Sequence, residues 1–224
     1  TVHFHGYPNA SAYFDGVPDA SAAINIGGSF TYYYLAPDAG TYFWHCHITP
    51  PEHLQMGMVG QIYVHPRQNK LAPGASLFDG LVAQQVDPRT RSDCVNDILC
   101  TTPLPSANNG ATHAAGRMYA YNDGDGSTAY DVEYPIQMMG FDPNFHFISM
   151  TFNPGAFPDM KDKYFMLNGR GYPDTINPAP LKTQSSDGVE RYSQPLPALV
   201  NIPAGGKALQ YTGAGEFFIN FAFA

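Results

Sequence analysis

An all-β fold is what this 224-residue chain predicts, and three observations predict it. Its 20 prolines and 22 glycines cut it into short runs, its 15 tyrosines and 15 phenylalanines fall within those runs, and no stretch accumulates helix formers. Aromatic side chains suit a pleated, half-buried surface, whereas Pro and Gly interrupt regular structure. The length admits one large domain or two small ones. A two-sheet sandwich takes about seven strands over ~100 residues.

The elements follow in chain order. Thr1-Val2-His3-Phe4-His5-Gly6 alternates as a strand does and aims both imidazoles at one face. Strands are predicted over residues 29–35, 40–47 and 58–64. In the first of these, Tyr32-Tyr33-Tyr34 reads as alternate tyrosines filling a sheet face with their hydroxyls reaching solvent. Residues 67–116 read as a long connector with few periodic apolar positions, longer than an ordinary loop and expected to lie across the sandwich. The run NDGDGS at 122–127 fails the calcium-loop template, because its Gly falls early and position twelve is Tyr134, so it reads as a hairpin loop. Further strands are predicted over 145–152, 164–167 and 199–202.

Residues 1–66 supply only about four strands, too few for a whole sandwich. The chain also stops in the apolar run EFFINFAFA at 216–224. The expectation is a fragment: 1–66 as the C-terminal part of a first domain, 67–116 as connector and 117–224 as the start of a second domain.

The net charge is −8 with no basic cluster, which argues against nucleic acid and anionic membrane as partners. No 18-residue apolar run would span a bilayer. Cys94 and Cys100, in SDCVNDILC, form an even pair once Cys46 is set aside. They read either as a disulfide closing a small loop in an oxidising compartment or as two free thiols. Asn9-Ala10-Ser11 is a glycosylation acceptor only in a eukaryotic host.

The chemistry concentrates in WHCHITPPEHLQMGM at 44–58, where a thiolate, three imidazoles and a thioether fall within one strand and the turn after it. Two His and one Cys with a weak axial Met form the ligand set of a blue copper site. Cys46, His53 and Met58 would supply three of those ligands, with the second His from elsewhere. On an extended strand His45 and His47 project to one side and Cys46 to the other. One strand can therefore serve two metal centres, with a short covalent path between them. His3 and His5 make a second His-x-His strand, so the two pairs together point to a multinuclear site. His65, His113 and His146 stand alone and read as surface or hydrogen-bonded histidines.

These residues resemble the multicopper oxidases, the laccase-like family built from cupredoxin domains. HFHG at 3–6 resembles the family's first His-x-His-Gly motif, and FDGVPD at 14–19 the turn that follows it. GTYFWHCH at 40–47 resembles the His-Cys-His strand, and His53 to Met58 has the family's His-x4-Met spacing. More loosely, MLNGRGYPDT at 166–175 and LVNIPAGGKAL at 199–209 resemble the opening segments of a following cupredoxin domain.

The resemblance implies an all-β, cupredoxin-like Greek-key β-sandwich, one partial domain followed by a second. It assigns His3 to type 2 copper, His5, His45 and His47 to the binuclear type 3 pair, and Cys46, His53 and Met58 to type 1 copper. Five residues, ITPPE, separate His47 from His53 where the family usually has three, a spacing closer to the copper nitrite reductases. The Cys also comes early, which resembles the arrangement with type 1 copper in the first domain.

The activity implied is one-electron oxidation of a small-molecule reducing substrate, with electrons passing through Cys46 and dioxygen reduced to water. Phenolic donors are the first expectation and cuprous or ferrous ions the second, although Met56, Met138 and Met139 read better as packing residues. Rival readings are a copper nitrite reductase-like enzyme and an inactive copper-binding fragment. The family's trinuclear cluster takes four His-x-His pairs, of which two are visible. The missing ligands, including the second type 1 His, are expected from absent chain segments or another subunit. Secretion or a periplasmic location is expected.

Overall fold

A computed structural model describes residues 1–6, 12–34, 36, 39–85, 107–151 and 157–214. Strands dominate, as the all-β class requires, and the helices are short. The first sheet is antiparallel, with β1 (Val2–His5) and β3 (Val59–Val64) flanking β2 (Gly40–Cys46). Its register pairs His3 with His45 and Val2 with Cys46 on one side of β2, and Trp44 with Gly60 on the other. A Cβ on Gly60 would come within 2.6 Å of the Trp44 indole, so glycine there makes room for the ring.

Between β2 and β3 lies α1 (Pro50–Gln55). Two prolines occupy its first turn, where a missing N–H is harmless and a fixed φ favours helix entry. A second helix, α2 (Leu77–Gln85), lies within the expected connector. Ser76 Oγ accepts the Asp79 N–H at its start, and Leu77 and Leu81 are buried beneath it.

The next strands, β4 (Met118–Tyr119) and β5 (Ala129–Tyr130), form a hairpin whose loop contains 122–127, as expected. Asp123 organises that loop, accepting the N–H groups of Asp125, Gly126 and Thr128 and the Gln68 side-chain amide. Its carboxylate is thus engaged with protein donors. The second sheet has β6 (Val132–Phe141) at its centre, and after α3 (Pro143–Met150) comes β7 (Tyr164–Leu167), antiparallel to it. A small antiparallel pair, β8 (Leu181–Gln184) and β9 (Glu190–Ser193), precedes β10 (Ala208–Ala214), which pairs parallel with β6.

Three expected strands differ. Residues 145–150 are helical, because Asp142-Pro143 opens α3: Asp142 Oδ1 accepts the Asn144 N–H, a cap that overrides the β preference of the aromatics. Residues 29–34 run without a ladder. Tyr32 and Tyr34 do share a side, with rings parallel to 3°, but their hydroxyls bond backbone, Tyr32 Oη accepting from Val2 N and Tyr34 donating to Phe14 O. Residues 199–202 are irregular, and 208–214 supplies the strand instead.

The sheets meet through polar side chains as well as packing. Gln61 donates to Ile136 O, Tyr63 lies against Tyr211 with ring centroids 4.4 Å apart, and Glu133 accepts hydrogen bonds from both Tyr130 and Tyr211. Burial and this shared carboxylate push the Tyr130 hydroxyl up to about 12.

Candidate metal centre

Strand β2 ends as the alternation requires. His45 lies opposite His3, so their imidazoles share a face, and the His5 ring stacks on Phe43, the partner of His5 in the register. Ligand nitrogens of His3, His5 and His45 all lie within 4.8 Å of one another, the reach of a single metal ion or a close group of them. The His47 ring stands beside both His3 and His45, at centroid distances of 5.1 and 5.7 Å. All four expected imidazoles are therefore gathered on one side of the sheet.

Hydrogen bonds set the tautomers. A carbonyl oxygen can only accept, so His3 Nδ1, 2.6 Å from Asp15 O, and His45 Nδ1, 2.9 Å from Cys46 O, carry protons. Their Nε2 atoms then carry the lone pair, the arrangement by which a partner on one ring nitrogen orients the other, and that of His45 accepts from His5. His5 Nδ1 lies 3.2 Å from His45 Nε2. Burial lowers the pKa of His5, with His3 and His47 adding to the effect. Burial likewise lowers that of His45 against the raising influence of its Cys46 carbonyl bond, with the neighbouring imidazoles pushing the same way as burial. Both rings are thus biased toward the neutral form that metal binding needs.

On the opposite face Cys46 is buried, and its Sγ lies 3.0 Å from His53 Nδ1. His53 is carried by α1, whose entry places Thr49 at φ 42°. After α1 the chain turns back through Met58 N to His53 O and Cys46 N to Met58 O, which puts Met58 next to Cys46 across the sheet edge. A cysteine sulfur beside an imidazole is a soft and borderline donor pair that suits copper, while Met58 is 42% exposed and is tied to Cys46 by its backbone.

The remaining histidines behave as single groups. His65 faces Glu133, His146 Nδ1 bonds Gln55 O, and His113 is buried beside Tyr119. Cys94, Cys100 and Asn9 lie outside the described residues. Two contributors were not foreseen from sequence: the Asp15 carbonyl, which orients His3, and Gln55, whose amide ties α1 to the second sheet. The FDGVPD turn was the available signal for the first. Nothing local signals the second.

A strand-built scaffold with imidazoles on one face and a thiolate–imidazole pair on the other defines a candidate metalloprotein of the all-β class. The particular kinship is a match of residues 1–69 to the family model described as multicopper oxidase. Laccase abr2 of Aspergillus fumigatus is 33% identical over 81 residues, covering 35% of this chain and 14% of the relative. Multicopper oxidase CTB12 of Cercospora beticola is 38% identical over 82 residues, 36% of this chain and 13% of the relative. Laccase-1 of Emericella nidulans is 36% identical over 85 residues, 35% and 13% respectively. The chain thus spans a small part of the length of these relatives. A solved multi-copper oxidase from Pseudomonas thermotolerans is similar over 76% of this chain and 28% of its own, at 15% identity and a TM-score of 0.41. No helix among the described residues is long and apolar enough to cross a membrane.

Proposed function

We propose that this chain is part of a copper-dependent oxidoreductase that takes single electrons from phenolic or similar small-molecule donors and passes them to dioxygen, which is reduced to water. The observation that carries the reading is strand β2, which presents Cys46 to one face and His45 to the other with His3 in register beside it. Bound copper supplies one-electron redox chemistry and a place for dioxygen, which no side chain here provides.

The chain's own residues bind and orient. Cys46, His53 and Met58 hold a type 1 copper. His3 serves a type 2 copper, and His5, His45 and His47 serve a type 3 pair. The Asp15 and Cys46 carbonyls fix the tautomers of His3 and His45, so that Nε2 is the nitrogen each ring would offer to a metal. The Cys46–His45 peptide joins the two centres covalently. The remaining ligands come from other segments of the full protein or from a second subunit. Residues 1–66 and 117–224 are parts of two cupredoxin domains joined by 67–116, and the protein works outside the cytoplasm. Metal-ion oxidation is the second reading of the substrate.

The test is the copper content, visible spectrum and oxygen uptake, with a phenolic donor, of this chain copper-loaded together with the segments or subunit that supply the remaining ligands. An intense thiolate–copper absorption with more than one copper per chain and oxygen uptake is expected. One copper without oxygen uptake would reduce the chain to an electron carrier, and absence of the blue band would overturn the reading.

A further inference from the structure

The helix that carries His53 ends at Gln55, and Gln55 is buried where it has no ligand to hold. Its side chain reaches across to the second sheet. Nε2 donates to Asp162 Oδ1 at 3.2 Å and approaches Met160 Sδ at 3.4 Å, while Oε1 accepts the Asp142 N–H at 3.0 Å. Its own carbonyl takes a fourth bond from His146 Nδ1 at 3.0 Å. Those partners lie at the end of β6, on α3 and just before β7, between 87 and 107 residues away in sequence.

The far side of this contact is itself fixed. Asp142 holds the Asn144 N–H with one carboxylate oxygen and the Lys161 N–H with the other. Gly140 leaves room for Asp162, since a Cβ there would fall 1.9 Å from Asp162 Oδ2. On the near side, Gln55 is two residues from His53 and three from Met58, and α1 is only six residues long. So short a helix is marginal alone and takes its position from tertiary contacts. The Cys46–His53 separation of 3.0 Å is therefore set by what anchors α1.

We infer that Gln55 is a positioning residue for the Cys46–His53 copper site, a latch by which Asp142, Asp162 and His146 of the second sheet region hold the ligand-bearing helix in place. The inference rests on the proposed assignment of Cys46 and His53 to copper. Partners outside the ligand shell that orient ligands typically change metal affinity 10- to 100-fold when removed. A residue that only filled space would leave the copper spectrum unchanged when replaced by an apolar side chain of similar size.

The experiment compares the full chain with Gln55→Leu, Gln55→Glu, and Gln55→Glu combined with Asp162→Asn. Gln55→Leu removes the three side-chain bonds, Gln55→Glu sets a carboxylate against Asp162, and the double variant restores a donor–acceptor pair. Hydrogen exchange on the copper-free chain is expected to be at least ~10-fold faster over 53–58 in both single variants, with 77–85 unchanged and with recovery in the double variant. On copper loading, the single variants are expected to bind copper roughly 10- to 100-fold more weakly with an altered thiolate–copper absorption and electron paramagnetic resonance spectrum, again recovered in the double variant. Wild-type exchange rates and an unchanged spectrum in Gln55→Leu would overturn the latch. A wild-type chain without a blue copper band would overturn the copper assignment instead, with the exchange data still deciding whether the latch exists.

Discussion

Replacing Gly16 by alanine tests how the FDGVPD turn places His3. Gly16 has φ +81°, and a Cβ there would lie 2.0 Å from the Val2 carbonyl oxygen and 2.6 Å from the His3 nitrogen. Two costs follow. Holding a non-glycine residue in the left-handed region costs roughly 1–2 kcal/mol. The overlap with β1 is a second cost, since backbone cannot rotate away, and the contact must open by about 1 Å to reach the 3.0 Å that real Cβ atoms respect. The bond from His3 Nδ1 to Asp15 O, 2.6 Å long, spans that same contact and must stretch with it.

Gly27 is the internal control, with φ +82° and nothing within 4 Å of where a Cβ would stand, so Gly27→Ala carries the first cost alone. We expect Gly27→Ala to lose about 1 kcal/mol and Gly16→Ala at least ~3 kcal/mol. Urea unfolding followed by the fluorescence of Trp44, the single tryptophan, measures both. Calorimetric titration with copper should show at least ~10-fold weaker binding for Gly16→Ala and none of that loss for Gly27→Ala. Equal stabilities and equal affinities for the two variants would refute the claim that this turn presses on β1 and positions His3.

Three further outcomes are expected. Burial pushes the Asp123 carboxyl up, but hydrogen bonds from Thr128, Gln68 and Gly126 outweigh it and hold the pKa below the usual value. Its stabilisation is therefore present above the ordinary carboxylate range and lost as pH falls through the folded value. Asp123→Asn should cost about 1–3 kcal/mol at neutral pH and flatten the acid limb of the stability–pH curve. Arg170, 1% exposed, spreads its guanidinium over the carbonyls of Asp174, Asn177, Ala179 and Gln194, so Arg170→Lys, which cannot reach them all, should lose roughly 3 kcal/mol in urea unfolding. Cys46→Ser should abolish the blue absorption and remove one copper per chain while leaving metal bound to the imidazole group, as read by copper analysis.

What was legible in the sequence is what local period controls. The gathering of His3, His5, His45 and His47 on one face follows from alternation with period two, and the strands at 40–47 and 164–167 from aromatic runs between breakers. Where a short-range signal competed with it, the reading failed: Asp142-Pro143 starts a helix through aromatics that favour strands. Strand β6 is absent from the strands read in the sequence, and its Pro135 argues against a central strand. The structure accommodates it because β7 pairs only with Met138–Phe141, leaving Pro135 with a ladder partner on one side. Gln55 could not be read at all, since its partners are brought to it only by tertiary folding.

The division of labour on β2 depends on register, and register depends in part on residues that supply no ligand. A slip of one residue would exchange the two faces, placing Cys46 among the imidazoles and His45 beside His53. Pairing of Val2 with Cys46 and the bond from Cys46 N to Met58 O oppose that slip at the strand's end. Further back, Trp44 fits over Gly60, and a slip would set its indole against the side chain of Val59 or Gln61 instead. The indole and the glycine thus guard the arrangement of both candidate centres from outside them. A side chain at position 60 should therefore disturb the thiolate site and the imidazole group together, whereas a ligand substitution disturbs one.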